Sequence, residues 1–179
     1  MSRMADAARV DSRDALSRFV LAGLATSIVD GLFSSVLSVA AYGSTVSRLF
    51  QGVAATVVGN AAFDGGMRTT LLGLLMHCAV AFTWSAIFVF VLMRSVRIRQ
   101  ILAAPYGVFR VASVYGPFIW TVMSVVVIPV LLRRPPAITF RWWVQFVGHF
   151  PFVGVPMVTF GSRGARPIEE SARRRPWDS

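Results

Sequence analysis

The sequence predicts an all-α integral membrane protein, an antiparallel four-helix bundle with an extra interfacial or re-entrant helix between the first and second spans. Three observations carry this reading. The chain is 55% hydrophobic with a mean hydropathy of +0.64, above the roughly 45–50% apolar content of soluble globular domains. It contains four apolar runs of about 20 residues, the length that crosses a bilayer core. Its 18 basic residues, all arginine, gather at the ends of those runs.

Residues 1–18 mix Arg3, Arg9 and Arg13 with Asp6, Asp11 and Asp14, and read as a cytoplasmic N-terminal tail or a short surface helix. The first span is Phe19–Ala41. It is too long for a signal-peptide core and carries Asp30 in its middle, so it is read as retained. Leu49–Phe63 is helix-compatible and meets a stop signal at Gly65-Gly66. That stretch is too short to cross, which makes it the interfacial or re-entrant helix. The second span, Thr69–Met93, is closed by Arg94, Arg97 and Arg99. The apolar stretch Ile101–Leu132 is too long for one straight helix and contains Pro105, Pro117 and Pro129, so its crossing is placed at Val108–Val130. Arg133-Arg134-Pro135-Pro136 then breaks the helix. Trp142–Phe160 is the fourth and shorter span, anchored by Trp142 and Trp143. Residues 161–179 read as a basic, disordered C-terminal tail.

The arginines also give an orientation. With both termini inside, the cytoplasmic side holds twelve (Arg3, Arg9, Arg13, Arg18, Arg94, Arg97, Arg99, Arg163, Arg166, Arg173, Arg174, Arg175) and the other side five (Arg48, Arg68, Arg133, Arg134, Arg141). The excess of positive charge inside predicts a multi-pass protein of the bacterial inner membrane, N-in and C-in.

Several classes of function are excluded by pattern. The net charge of +10 sits in the flanks of apolar runs and not on one stripe with stacking aromatics, so the expected partner is the lipid bilayer and no nucleic acid. Cys78 is the one cysteine, which rules out an intramolecular disulfide. There is no phosphate-cradling glycine loop, no His-x-x-x-His spacing and no nucleophile elbow, so neither an enzyme nor a bound cofactor is expected. Protein partners and oligomeric state stay open.

Each span carries a stripe of small or polar residues at helical spacing, expected to face the bundle interior because such residues pack closely and need partners away from lipid. In the first span these are Gly23, Ser27, Asp30, Ser34 and Ser38; in the second Thr70, Gly73, His77, Ala81 and Trp84. In the third they are Tyr106, Arg110, Ser113, Pro117, Thr121 and Ser124, and in the fourth Gln145, His149, Phe152 and Pro156. The ionisable members are the candidate buried polar or proton-relay residues: Asp30, His77, His149 and Arg110. A charge at bilayer depth costs about 2.5–3.5 kcal/mol, so Asp30 must be protonated, paired or wet. Arg110 is its nearest candidate partner by depth, the alternative being that it snorkels to the cytoplasmic end of its helix. His77 and His149 lie at about the same depth from the outer surface if both spans enter there.

The run Ala62-Phe63-Asp64-Gly65-Gly66, followed by Thr69, Thr70, Leu72-Gly73 and His77, resembles a family of small four-span bacterial integral membrane proteins, catalogued as hypothetical membrane proteins. Tyr115-Gly116, Met123, Pro129, His149 and Gly154-x-Pro156 are similar to that family's later motifs, and the likeness covers roughly Gly23 to Met157. It implies the four-span architecture and no mechanism. Arg110 and the Arg133–Pro136 loop depart from the pattern.

Three functional classes stay open. A small-solute, proton or ion handler would use Asp30 with His77 or His149. A scaffold or assembly subunit would use the bundle only as an anchor. A haem or redox subunit would take His77 and His149 as axial or metal ligands.

Overall fold

The computed structural model describes residues 2–164, with side chains from residue 13 onward. Most of the segment read as a basic tail, residues 165–179, lies outside the described residues. Among the described residues every regular element is helical.

The first helix, α1 (Ser2–Val36), contains no glycine or proline before Gly23, and nothing interrupts its backbone ladder. The charged segment before Phe19 is therefore continuous with the first apolar run and is not a separate surface helix. A π-helical turn, Leu37–Ala41, closes it. Thr45 then caps α2 (Val46–Val58), its hydroxyl accepting from the Arg48 N–H at 3.1 Å. This helix ends earlier than the expected Phe63. Gly59, at φ +77°, takes a conformation that glycine adopts at little cost, and a 3₁₀ turn over Asn60–Phe63 follows.

Next comes α3 (Gly66–Ala86), extended by a π turn, Ile87–Val91, and a 3₁₀ turn, Leu92–Arg94. The short α4 (Val96–Ala103) precedes α5 (Gly107–Thr121), which continues through a π turn, Val122–Val127, into α6 (Ile128–Leu132). The last rod is α7 (Phe140–His149), a π turn Phe150–Gly154 and α8 (Val155–Gly161). Pro151 lies within that turn and Pro129 just beyond the preceding one, where a missing N–H disrupts the regular ladder. The π turns after α1 and α3 contain no proline, and nothing in the structure explains them.

Taken as continuous rods, Arg13–Ala41, Gly66–Arg94, Gly107–Leu132 and Phe140–Gly161 are long and apolar enough to cross a membrane, while Val46–Val58 is apolar but shorter. The main core lies between α1, α3, α5 and α8 and is built from Ala22, Phe88, Ala112, Tyr115, Ile119 and Met157. Small residues let the helices approach at backbone distance. A Cβ on Gly73 would overlap the Phe50 carbonyl of α2, and one on Gly116 would overlap the carbonyl of His149. Gly23 lies under the Phe82 ring, and Gly148 under that of Phe33.

The stripes expected to face inward do so on three rods. Gly23, Ser27 and Ser38, Gly73 and Ala81, and His149 and Pro156 are all buried. The third rod differs: Tyr106, Arg110 and Ser113 are exposed, and its buried face is Gly107, Val111, Ala112, Tyr115, Gly116 and Ile119. The hydroxyls on that stripe are satisfied within their own helix. Ser113 donates to the Arg110 carbonyl, Thr121 to Pro117 and Ser124 to Trp120. Ser124, half-buried, also accepts from Trp142 Nε1 of the last rod at 2.8 Å, so the later part of the stripe still meets a neighbouring helix while the exposed first part leaves the core to the apolar face.

Candidate functional site

The site begins with Asp30, in the last two turns of α1, its side chain 15% exposed. Ser34, one turn on, donates its hydroxyl to Asp30 Oδ1 at 3.5 Å, the long limit of a hydrogen bond. From α3, His77 presents Nδ1 to Asp30 Oδ2 at 3.9 Å, its own side chain 16% exposed. The other ring nitrogen, Nε2, donates to the Ser27 carbonyl at 3.1 Å. Gly31 leaves room for this approach, since the nearest atom to a Cβ there is His77 Nε2. Phe50 from α2 closes the remaining side, edge-on to the imidazole with ring centroids 5.9 Å apart.

The Ser27 contact determines the chemistry of the pair. A carbonyl oxygen only accepts, so Nε2 carries a proton in either charge state of the ring. Nδ1 is then a bare acceptor when His77 is neutral and a second donor when it is charged. At 3.9 Å the carboxylate lies beyond hydrogen-bond distance of Nδ1 but within ion-pair range of a charged ring. An imidazolium beside a carboxylate is neutral as a pair, which lowers the cost of an isolated charge in a helical interior.

His149 joins from α7. It is 7% exposed, donates from Nδ1 to the Gln145 carbonyl at 2.7 Å, and lies against Trp120 of α5 with centroids 4.8 Å apart. Gly148 beside it packs under Phe33, three residues beyond Asp30. Val147 accepts from the Phe150 N–H, and His149 turns to Gln145 instead. Trp120 Nε1 and Gln145 Oε1, on either side of His149, are buried without a hydrogen-bond partner among the described residues.

Arg110 is not part of this cluster. It is exposed, and the one ion pair among the described residues is Asp30 with His77. The expected Asp30–Arg110 pair is corrected accordingly: α5 turns Val111 and Ala112 inward, which points the neighbouring guanidinium away from the interior. Nor do three His, Cys, Asp or Glu side chains among the described residues come together as a metal ion would need. Both nitrogens of His77 are engaged inside the protein, Nε2 by a backbone carbonyl and Nδ1 by Asp30.

The Ser27 carbonyl and the rings of Phe50 and Trp120 were not legible as site members, because backbone acceptors and aromatic walls leave no spacing signature. Other marked residues are structural. Gln51 Nε2 donates to the Gly66 carbonyl at 3.2 Å and Thr69 to Ala62 at 2.6 Å, tying the turn between α2 and α3. Tyr115 donates to the Trp84 carbonyl at 2.8 Å.

Among the described residues the protein is all-helical, with four helices long and apolar enough to span a membrane and an Asp–His pair between the first two of them. No family model, curated protein or solved structure matches the chain.

Proposed function

We propose that the chain is a multi-pass protein of the bacterial inner membrane, N-in and C-in, whose Asp30–His77 pair takes up and hands on a proton within an antiparallel bundle. The observation that supports this is the commitment of His77 Nε2 to the Ser27 carbonyl, which leaves Nδ1 facing the Asp30 carboxylate at 3.9 Å. Support for the antiparallel arrangement comes from the order of contacts between the first two long helices. Ser85 donates to the Phe19 carbonyl, Gly23 meets Phe82, and His77 reaches Ser27, so position rises on one helix as it falls on the other. The inside excess of arginine supports the orientation. The likeness to small four-span bacterial membrane proteins belongs to the same reading. A proton is favoured over a larger solute because the pair is walled by Phe50 and Gly31, with imidazole and carboxylate already at 3.9 Å.

A scaffold role is the second reading, favoured by the backbone hydrogen bonds that both histidines make, as packing histidines do. Proton uptake by full-length protein in sealed liposomes containing a pH-sensitive dye separates the two. Under an imposed potential the wild type carries protons well above protein-free vesicles, and Asp30→Asn falls to that background. A scaffold gives background rates in both.

A further inference from the structure

A cleft lies far from the Asp–His pair, where the start of the first long helix meets the end of the last. α1 packs along α8, and their polar boundaries coincide: Arg18 immediately precedes the apolar run, and Arg163 follows α8 by two residues. Between them is a cavity of about 300 Å³ lined by Asp14, Ser17, Arg18, Leu21, Arg163 and Gly164, a volume at the small end of ligand sites. The Arg18 guanidinium is held in place by Nε donating to the Asp14 carbonyl at 3.2 Å, which leaves its terminal nitrogens for another acceptor. Neither arginine has a carboxylate at ion-pair distance among the described residues.

We propose that this cleft binds the phosphodiester of a glycerophospholipid, with Arg18 and Arg163 on the phosphate. The inference rests on the membrane reading, because only then do the two boundaries lie at headgroup depth. Two arginines lining one cavity suit a phosphate, which accepts from a planar fork of donors. Leu21, one turn toward the apolar run and partly exposed, continues the cleft toward the acyl region. Asp14 at the rim adds an acceptor that the ammonium of an ethanolamine headgroup can use, while a glycerol headgroup meets only the arginines and Ser17.

The test is native mass spectrometry of the full chain in detergent, titrated separately with phosphatidylethanolamine, phosphatidylglycerol and inorganic phosphate. The wild type retains phospholipid, and Arg18→Gln with Arg163→Gln weakens retention about tenfold or more. Arg163→Gln alone gives a smaller loss, and Arg68→Gln, an exposed arginine outside the cleft, gives none. If the double variant misfolds, the single Arg163→Gln change still decides, since that side chain is exposed. Equal lipid retention in the variants overturns the site. Inorganic phosphate bound as tightly as lipid overturns the lipid as its ligand. Release of the protein from membranes by alkaline carbonate removes the membrane reading and the site with it, whereas retention in the membrane without lipid capture removes the site alone.

Discussion

Asp30 and His77 face each other at 3.9 Å while the far nitrogen of the same imidazole is tied to the Ser27 carbonyl at 3.1 Å. The backbone thus chooses the tautomer, and α1 supplies both the anchor and the acid. Asp30 and Ser27 lie three residues apart on one helix, so a single ring from α3 reaches both.

The first prediction concerns that anchor. Nitrogen-15 spectra of the purified protein should show His77 protonated at Nε2 under all conditions in which the protein is folded. His77→Leu should destabilise by about 1–3 kcal/mol, because it strips a buried carboxyl of its partner. Adding Asp30→Asn should recover part of that loss, giving a coupling in the double-mutant cycle. Strictly additive losses would mean that the two side chains do not interact.

Helix approach gives the second. A Cβ on Gly73 meets the Phe50 backbone, whereas one on Gly52 meets nothing within 4 Å. Gly73→Ala should therefore force α2 and α3 apart and cost about 1–3 kcal/mol. Gly52→Ala, exchanging glycine for the better helix former in mid-helix, should be neutral or stabilising by up to about 1 kcal/mol. Thermal melting in detergent ranks the two, and similar melting temperatures would contradict the close crossing.

Much of this was legible beforehand, for a simple reason. Four long apolar helices are written in composition over windows of about 20 residues, and no local detail reverses them. Asp30 and the histidines announced themselves as ionisable residues in apolar runs. What failed depended on rotation about a helix axis. The third rod was assigned its polar stripe as the inner face, but the first part of it, Tyr106, Arg110 and Ser113, is exposed, while Ser124 still accepts from Trp142 of the last rod. Ala112 and Gly116 take the interior instead, because only small residues pass the His149–Gly154 backbone. Arg110 turned outward with that stripe. The stop at Gly59 was missed because Gly65-Gly66 is the louder signal in sequence, and a positive φ at a lone glycine leaves no mark on hydropathy.

The third prediction follows from that correction. Arg110 is exposed and makes no ion pair among the described residues. Arg110→Ala should leave the melting temperature nearly unchanged, within about 0.5 kcal/mol of the wild type, and should not depend on whether Asp30 is aspartate or asparagine. A large loss rescued by Asp30→Asn would restore the discarded pair.

Topology supplies the fourth. Ser47 and Ser95 are both exposed and lie on opposite sides of the proposed bilayer. In a Cys78→Ala background, cysteine at position 47 should react with an impermeant maleimide added outside intact cells, and cysteine at position 95 only after permeabilisation. The reverse pattern would invert the orientation, and labelling of both from outside would remove one crossing.

The central claim is that Asp30 and His77 divide one proton, and isotope-edited infrared difference spectroscopy across a pH jump reads it most directly. In full-length protein in bilayers, the Asp30 carboxyl and His77 imidazole bands should change together, with both signals altered by Asp30→Asn and both by His77→Gln. Bands that change independently, or a carboxyl band that His77→Gln leaves untouched, would contradict the shared proton.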